Sequence, residues 1–265
     1  MEENWLEIDE FAKSSIKEAG QEIIDSFDEV LKIQTKSNVN DLVTNMDKQI
    51  EKLFVEKIKD LFPHHRVMGE EGFGDQVTDM EGTVWIIDPI DGTMNFVHQQ
   101  RNFAISIGVY HEGKGMLGYI YDVVSDDLYH AKKDEGAYLN GEKLSPLKDV
   151  PLEEAILSLN ATWLVPNKKV NHEVFVPLVH RVRGTRSYGS AAIELAYIAA
   201  GRLDGYITMR LAPWDFAGGK VLIEEVGGVV TDLNGSELSM VNHSPVFAGN
   251  PSVHREVQKK YLSKL

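Results

Sequence analysis

The 265-residue chain contains no cysteine. Disulfides, thiolate metal sites and a cysteine nucleophile are therefore excluded, and any bound metal must be held by oxygen or imidazole. Long apolar runs are missing too: nothing approaches the ~18 consecutive hydrophobic residues of a membrane-spanning helix. The opening MEENWLEIDEF is acidic, with neither a basic n-region nor an apolar h-region. No signal peptide is expected from it, and a cytoplasmic protein is. The chain has no internal repeats and no low-complexity linker. Positive charge is scarce, with 27 Lys and Arg against 41 Asp and Glu and a formal net charge of −14. Such a field disfavours direct contact with nucleic acid or an anionic membrane. It would also repel a phosphate ester unless bound cations reversed its sign locally.

What is present suffices for a core. Hydrophobic residues make up 43% of the chain, enough for one large domain or two fused lobes. Trp5, Ile8, Ala12, Ile16, Ala19, Ile23, Phe27, Val30 and Leu31 recur at helical spacing and predict a helix over 4–34. Ile50, Leu53, Phe54, Ile58 and Leu61 predict a second over 41–61, ended by Pro63. The polar KIQTKSNVND between them reads as a mobile connection. From residue 83 the pattern changes to strands: TVWII ending at Asp88, then 103–110, 115–122 and 127–133 as a meander, with Asn140-Gly141 as a hairpin turn. Beyond it helices and strands alternate: strands at 155–160, 205–209, 229–233 and 246–249, helices at 172–182, 190–200, 214–226 and 251–265. The reading is a layered α/β fold in two lobes, 1–150 and 151–265.

Three acidic segments stand out. In WIIDPIDGTMNF, Asp88 and Asp91 sit three residues apart on a tight turn after an apolar strand. Pro89 fixes φ, Gly92 allows a close backbone approach, and the N–H groups of Gly92 and Thr93 suit an anion. Ordinary turn chemistry is the competing explanation. An EF-hand Ca²⁺ loop is not, because Ile90, Gly92 and Gln99 stand where that template needs ligands. In MGEEG, Glu70 and Glu71 lie between glycines; alone, such a pair is usually solvated, and the preceding His64-His65 reads as surface. In LAPWDFAGG, Asp215 opens a helix, where a first-turn acid also complements the helix dipole.

Together GEE, DPIDGT and WDxAGG, in this order and separation, resemble the inositol monophosphatase family of lithium-sensitive, Mg²⁺-dependent phosphatases. The likeness covers nearly the whole chain, with SYGSAAIELAYIAAGRLDGY similar to the family's substrate-side helix. It implies an αβαβα layered sandwich, commonly a homodimer, that hydrolyses a small phosphate monoester with two or three Mg²⁺ ions and metal-activated water. By the same resemblance, Glu70 ligates a metal and holds the water nucleophile. Asp88 bridges two metals, the carbonyl of Ile90 completes the first site, and Asp91 and Asp215 serve the second. Gly92 and Thr93 bind phosphate, Thr93 with Asp47 helps activate the water, and Gly189, Ser190 and Ala191 line the alcohol pocket.

One position departs from the animal pattern. Thr208 stands seven residues before Asp215, where that pattern has an acid contacting the sugar hydroxyls. Arg202 and Arg210 lie close in sequence, and a more anionic substrate is one expectation. The resemblance thus implies inositol monophosphate as substrate, with NADP(H) 2′-phosphate and fructose 1,6-bisphosphate as rivals. A non-catalytic binding protein, or a regulator acting through the transcription machinery as some bacterial relatives do, is the alternative from another class.

Overall fold

The computed structural model describes residues 3–28, 31–35 and 42–264. Val30, Asp41 and most of KIQTKSNVND lie outside them. The elements of the first 150 residues are α1 (Trp5–Asp25), β1 (Gln34–Thr35), β2 (Leu42–Val43), α2 (Asn45–Leu61), β3 (Arg66–Gly69), β4 (Thr83–Asp91), α3 (Thr93–Gln99), β5 (Ala104–His111), β6 (Lys114–Asp122), β7 (Asp127–Lys132), β8 (Gly136–Leu139) and β9 (Glu142–Lys143). There follow β10 (Ile156–Leu159), α4 (Phe175–Arg181), β11 (Gly184–Arg186), α5 (Ala191–Ala199), β12 (Gly205–Leu211), α6 (Pro213–Glu225), β13 (Val229–Thr231), β14 (Ser244–Gly249) and α7 (Pro251–Lys260).

Strands β3 to β9 form a seven-stranded sheet in sequence order. Only β3–β4 is parallel; the rest is an antiparallel meander. A second sheet has the order β11-β10-β12-β14-β13. Side chains alternate across a strand, and β5 shows the consequence. Ile105, Ile107 and Val109 point into a core with α1 and α2, while Ala104 and Tyr110 join a core built with α5 and α6. The outer face of the second sheet packs Leu157, Ile207 and Phe247 against Phe175 and Leu178 of α4 and Val253 and Val257 of α7. The layers are therefore helix pair, sheet, helix pair, sheet, helix pair: an αβαβα sandwich, as the resemblance implies. Each fully buried side chain of this size contributes ~1.5–3 kcal/mol.

Helix α6 sits unusually close to the large sheet. A methyl group on Gly218 would stand 2.8 Å from the carbonyl oxygens of both Ile107 and Tyr119, so glycine there lets the helix that carries Asp215 approach the strand that neighbours Asp88.

Several local expectations change. The first helix stops at Asp25 and continues as a single 3₁₀ turn over 26–28. The second begins at Asn45, because Thr44 caps it. Leu61, expected in the buried stripe, is 50% exposed at the helix's last residue. His65 is not a surface residue. It is buried, its Nδ1 accepts the Trp85 indole N–H at 3.0 Å, and its Nε2 lies 3.1 Å from a Glu3 carboxylate oxygen. TVWII does not end at Asp88 either: the strand runs on to Asp91.

Candidate active site

That extension of β4 places the first two acids. In a regular strand, residues three apart face opposite sides. Here β4 pairs with β5 in register from Thr83–His111 to Asp88–Ser106, then shifts before Asp91–Ala104. The irregularity falls at Pro89, which has no N–H to give the ladder. One extra residue on the β4 side lets Asp88 and Asp91 share a face. Asp88 Oδ1 accepts the Ile90 N–H at 3.0 Å, closing the turn locally. Gly92 then adopts φ 95°, a left-handed conformation that favours glycine, and opens α3.

The third acid arrives from the other half of the chain. Asp215 lies in the first turn of α6, where its Oδ2 accepts the Ala212 N–H at 2.7 Å. It is a capping residue and yet aims into the cleft. One carboxylate oxygen from each of Asp88, Asp91 and Asp215 lies within 4.8 Å of the others, and among the described residues this is the one such cluster of three potential ligands. Glu70 follows the end of β3 and is half-buried. Its negative charge is felt by Asp88, Asp91, Asp215 and Asp47 alike.

The electrostatics are those of anions forced together. Lost solvation, then the charges of Glu70, Asp91 and Asp215, push the Asp88 carboxyl well above the usual carboxylate range. Lost solvation also raises Asp91 to about 7, although the Ser190 hydroxyl and the Ala192 N–H oppose it. Asp215 is pushed well up by lost solvation and by Asp91 and Glu70. Without a cation these groups resist ionising together.

A second small constellation flanks the acids. Thr93 Oγ1 lies 3.1 Å from both Asp47 Oδ1 and the Ile90 carbonyl oxygen. Asp47, in the first turn of α2, takes the Thr44 N–H at 2.8 Å and its hydroxyl at 2.6 Å on Oδ2. Burial raises its carboxyl above the ordinary value.

On the far side of Asp91 and Asp215 opens a cavity of about 240 Å³. Asn160, Trp163, Ser187, Gly189, Ser190, Ala191, Glu194, Tyr206, Thr208 and Leu211 complete its wall. The substrate-side residues expected from sequence, Gly189, Ser190, Ala191 and Thr208, are all there. Ser190 caps α5 and its hydroxyl donates to Asp91 Oδ2, which also accepts the Ala192 N–H at 2.7 Å. The two arginines are not there. Arg202 lies over the Tyr129 and Tyr197 rings and donates to Tyr129 Oη at 2.6 Å. Arg210 is exposed, with His243 Nε2 3.4 Å away. Adjacency in sequence was misleading: Arg202 precedes β12, and Arg210 falls where the β12–β14 register shifts between Thr208 and Leu211.

Three residues of the site escaped sequence reasoning. Asn95 Nδ2 donates to the carbonyls of Asn102 at 2.8 Å and Tyr188 at 2.7 Å, tying α3 to the turn before α5. Glu194 is buried and accepts the Tyr188 N–H at 2.7 Å. Glu51 is buried in α2 behind the GEE loop. Only Glu51 carried a signal, its position four residues after Asp47 on one helix face.

The geometry invites comparison with known proteins. The sequence model described as the inositol monophosphatase family matches residues 4–265. The chain belongs to the inositol monophosphatase family. It is 60% identical over 259 residues to the inositol-1-monophosphatase of Bacillus subtilis, covering 98% of each chain. The crystal structure of inositol monophosphate bound SaIMPase-II, from Staphylococcus aureus, superimposes with a TM-score of 0.87 at 42% identity, covering 97% of this chain and 94% of that one. An IMPase/NADP phosphatase complexed with Mg²⁺ and phosphate superimposes with a TM-score of 0.89 at 32% identity, covering 97% and 95%.

Proposed function

We propose that the chain is a Mg²⁺-dependent phosphatase that hydrolyses a small phosphate monoester, with inositol monophosphate as its leading substrate. The observation that carries this reading is the cluster of Asp88, Asp91 and Asp215, of which Asp91 and Asp215 line the 240 Å³ cavity. The donor set fits Mg²⁺: it is all oxygen, and its clustered acids are held above the ordinary carboxylate range by lost solvation and by one another's charge, which a bound cation would offset. Glu70, Asp88, the Ile90 carbonyl, Asp91 and Asp215 would hold two or three ions. When bound, Mg²⁺ neutralises the ester, activates water and stabilises the departing oxygen.

The remaining work falls to the chain itself. The N–H groups of Gly92 and Thr93, at the start of α3, would hold the phosphate. Thr93, whose hydroxyl donates to Asp47, would accept the attacking water's proton while giving its own hydroxyl proton to that carboxylate. Ser190 and the Ala192 N–H fix Asp91, so that its free oxygen keeps one orientation. Gly189, Ser190, Ala191 and Thr208 receive the alcohol. The two lobes, 1–150 and 151–265, each supply part of this machinery, and on family likeness the enzyme is a cytoplasmic homodimer.

Two observations bear on the substrate. No Lys or Arg lines the cavity among the described residues, which favours a neutral leaving alcohol over a second phosphate. The similarity to an IMPase/NADP phosphatase keeps NADP(H) as the second reading, with fructose 1,6-bisphosphate behind it. Phosphate release with Mg²⁺ or EDTA, over myo-inositol 1-phosphate, NADP⁺ and fructose 1,6-bisphosphate, tests both. Mg²⁺-dependent release led by inositol phosphate is expected. Folded protein that releases phosphate from none of them would refute the reading.

A further inference from the structure

Glu51 has no part in the chemistry above, yet it is fully buried beside it. A buried carboxylate costs stability unless its oxygens are satisfied. Here Oε2 accepts the Glu71 N–H at 2.5 Å and Oε1 accepts the Phe73 N–H at 2.8 Å. Both donors belong to the loop that carries Glu70. Gly69, just before Glu70, packs so tightly on this carboxylate that an added methyl would overlap it. The loop is therefore clamped from both sides of Glu70.

The clamp shares its helix with another. Asp47 and Glu51 are four residues apart, hence neighbours on one face of α2. Asp47 lies 3.1 Å from Thr93 Oγ1 and so holds the DPIDGT turn; Glu51 holds the GEE loop. Helix α2, capped by Thr44 and packed into the core through Met46, Ile50 and Phe54, is a rigid spacer between the two loops.

We infer that Glu51 is a positioning residue that sets the distance of Glu70 from Asp88 and thereby the affinity of the site for its cation. This rests on the reading of the site as a Mg²⁺ centre. It makes Gly69 part of the same device. Partners behind metal ligands are worth about 10–100-fold in affinity. Glutamine at position 51 keeps the shape but offers one acceptor where two N–H groups need one each, and its amide N–H₂ opposes the other donor.

Calorimetric titration of Mg²⁺ into native protein, Glu51→Gln and Gly69→Ala, with melting temperatures in EDTA and phosphate release against Mg²⁺ concentration, tests the inference. Both variants are expected to bind Mg²⁺ about tenfold or more weakly and to recover kcat to near the native value at saturating Mg²⁺. Glu51→Asp, which keeps both acceptors, should restore part of the affinity. A lowered melting temperature with an unchanged Mg²⁺ midpoint in both variants would overturn the inference and reduce Glu51 to a stability role. If Glu51→Gln fails to fold, Gly69→Ala alone decides by the same midpoint. Calorimetry needs no turnover, so weakened Mg²⁺ binding in a protein without phosphatase activity would uphold this inference while refuting the proposed function.

Discussion

The two sides of the cleft are built by opposite means. The side holding Asp47, Glu70, Asp88 and Asp91 crowds carboxylates that solvation would otherwise keep apart, and the structure raises the pKa of three of them. The side holding Ser187, Ser190, Tyr206 and Thr208 offers hydroxyls and backbone, and its one added acid, Glu194, is buried and bonded to the Tyr188 N–H. Charge is concentrated where a cation must be held, and the alcohol side adds mostly hydroxyls, with one buried acid bonded to backbone. The contrast teaches where tolerance lies. Changes on the charged side should abolish function, whereas changes on the hydroxyl side should retune it.

The largest expected break is Asp88→Asn. It should lower phosphate release by more than about 100-fold, since even partners behind a metal ligand are worth about 10–100-fold. The same variant reports the cost of the crowding. The folded-state pKa values of Asp88, Asp91 and Asp215 lie above the ordinary carboxylate value, Asp91 at about 7. The metal-free native state therefore holds more protons than the unfolded chain from about pH 4 upward. Its stability falls as pH rises through that window. In EDTA at pH 8, Asp88→Asn should accordingly melt above the native protein, and the gap should close toward pH 4. With about 3 °C for each kcal/mol in a chain of this size, differential scanning calorimetry resolves it. A variant that melts lower at every pH would show that the acids are not in conflict.

The smallest expected effect sharpens the hydroxyl side. Thr208→Glu restores a carboxylate to the cavity wall and should shift the kcat/KM ratio of inositol phosphate over NADP⁺ by about tenfold toward inositol phosphate, the yield of about one charge-assisted hydrogen bond and one repulsion. An unchanged ranking would remove position 208 from the account of specificity.

Much of this was legible in the chain. Asp88, Asp91 and Asp215 announce themselves because each sits in a turn or cap whose neighbours, Pro89, Gly92 and Pro213, have narrow conformational meaning. That the fold is a layered α/β one was legible from apolar patterning, while the αβαβα order of its layers came from the family resemblance. What stayed hidden was set by contacts between distant residues. Glu194, Asn95 and Glu51 serve through backbone groups that no motif spells out. His65 read as surface because its partners, Trp85 and Glu3, lie 20 and 62 residues away. Arg202 lay close to Thr208 in sequence, yet its partners, Tyr129 and Tyr197, lie outside the cavity. Strands β3 and β11, of four and three residues, are too short to declare a pattern.

The most direct test of the central claim is anomalous scattering from crystals soaked with Mn²⁺ and phosphate. Peaks are expected within ligand distance of Asp88, Asp91 and Asp215, with phosphate between them and the N–H groups of Gly92 and Thr93. A cleft that stays free of Mn²⁺ at concentrations supporting phosphate release would contradict that claim.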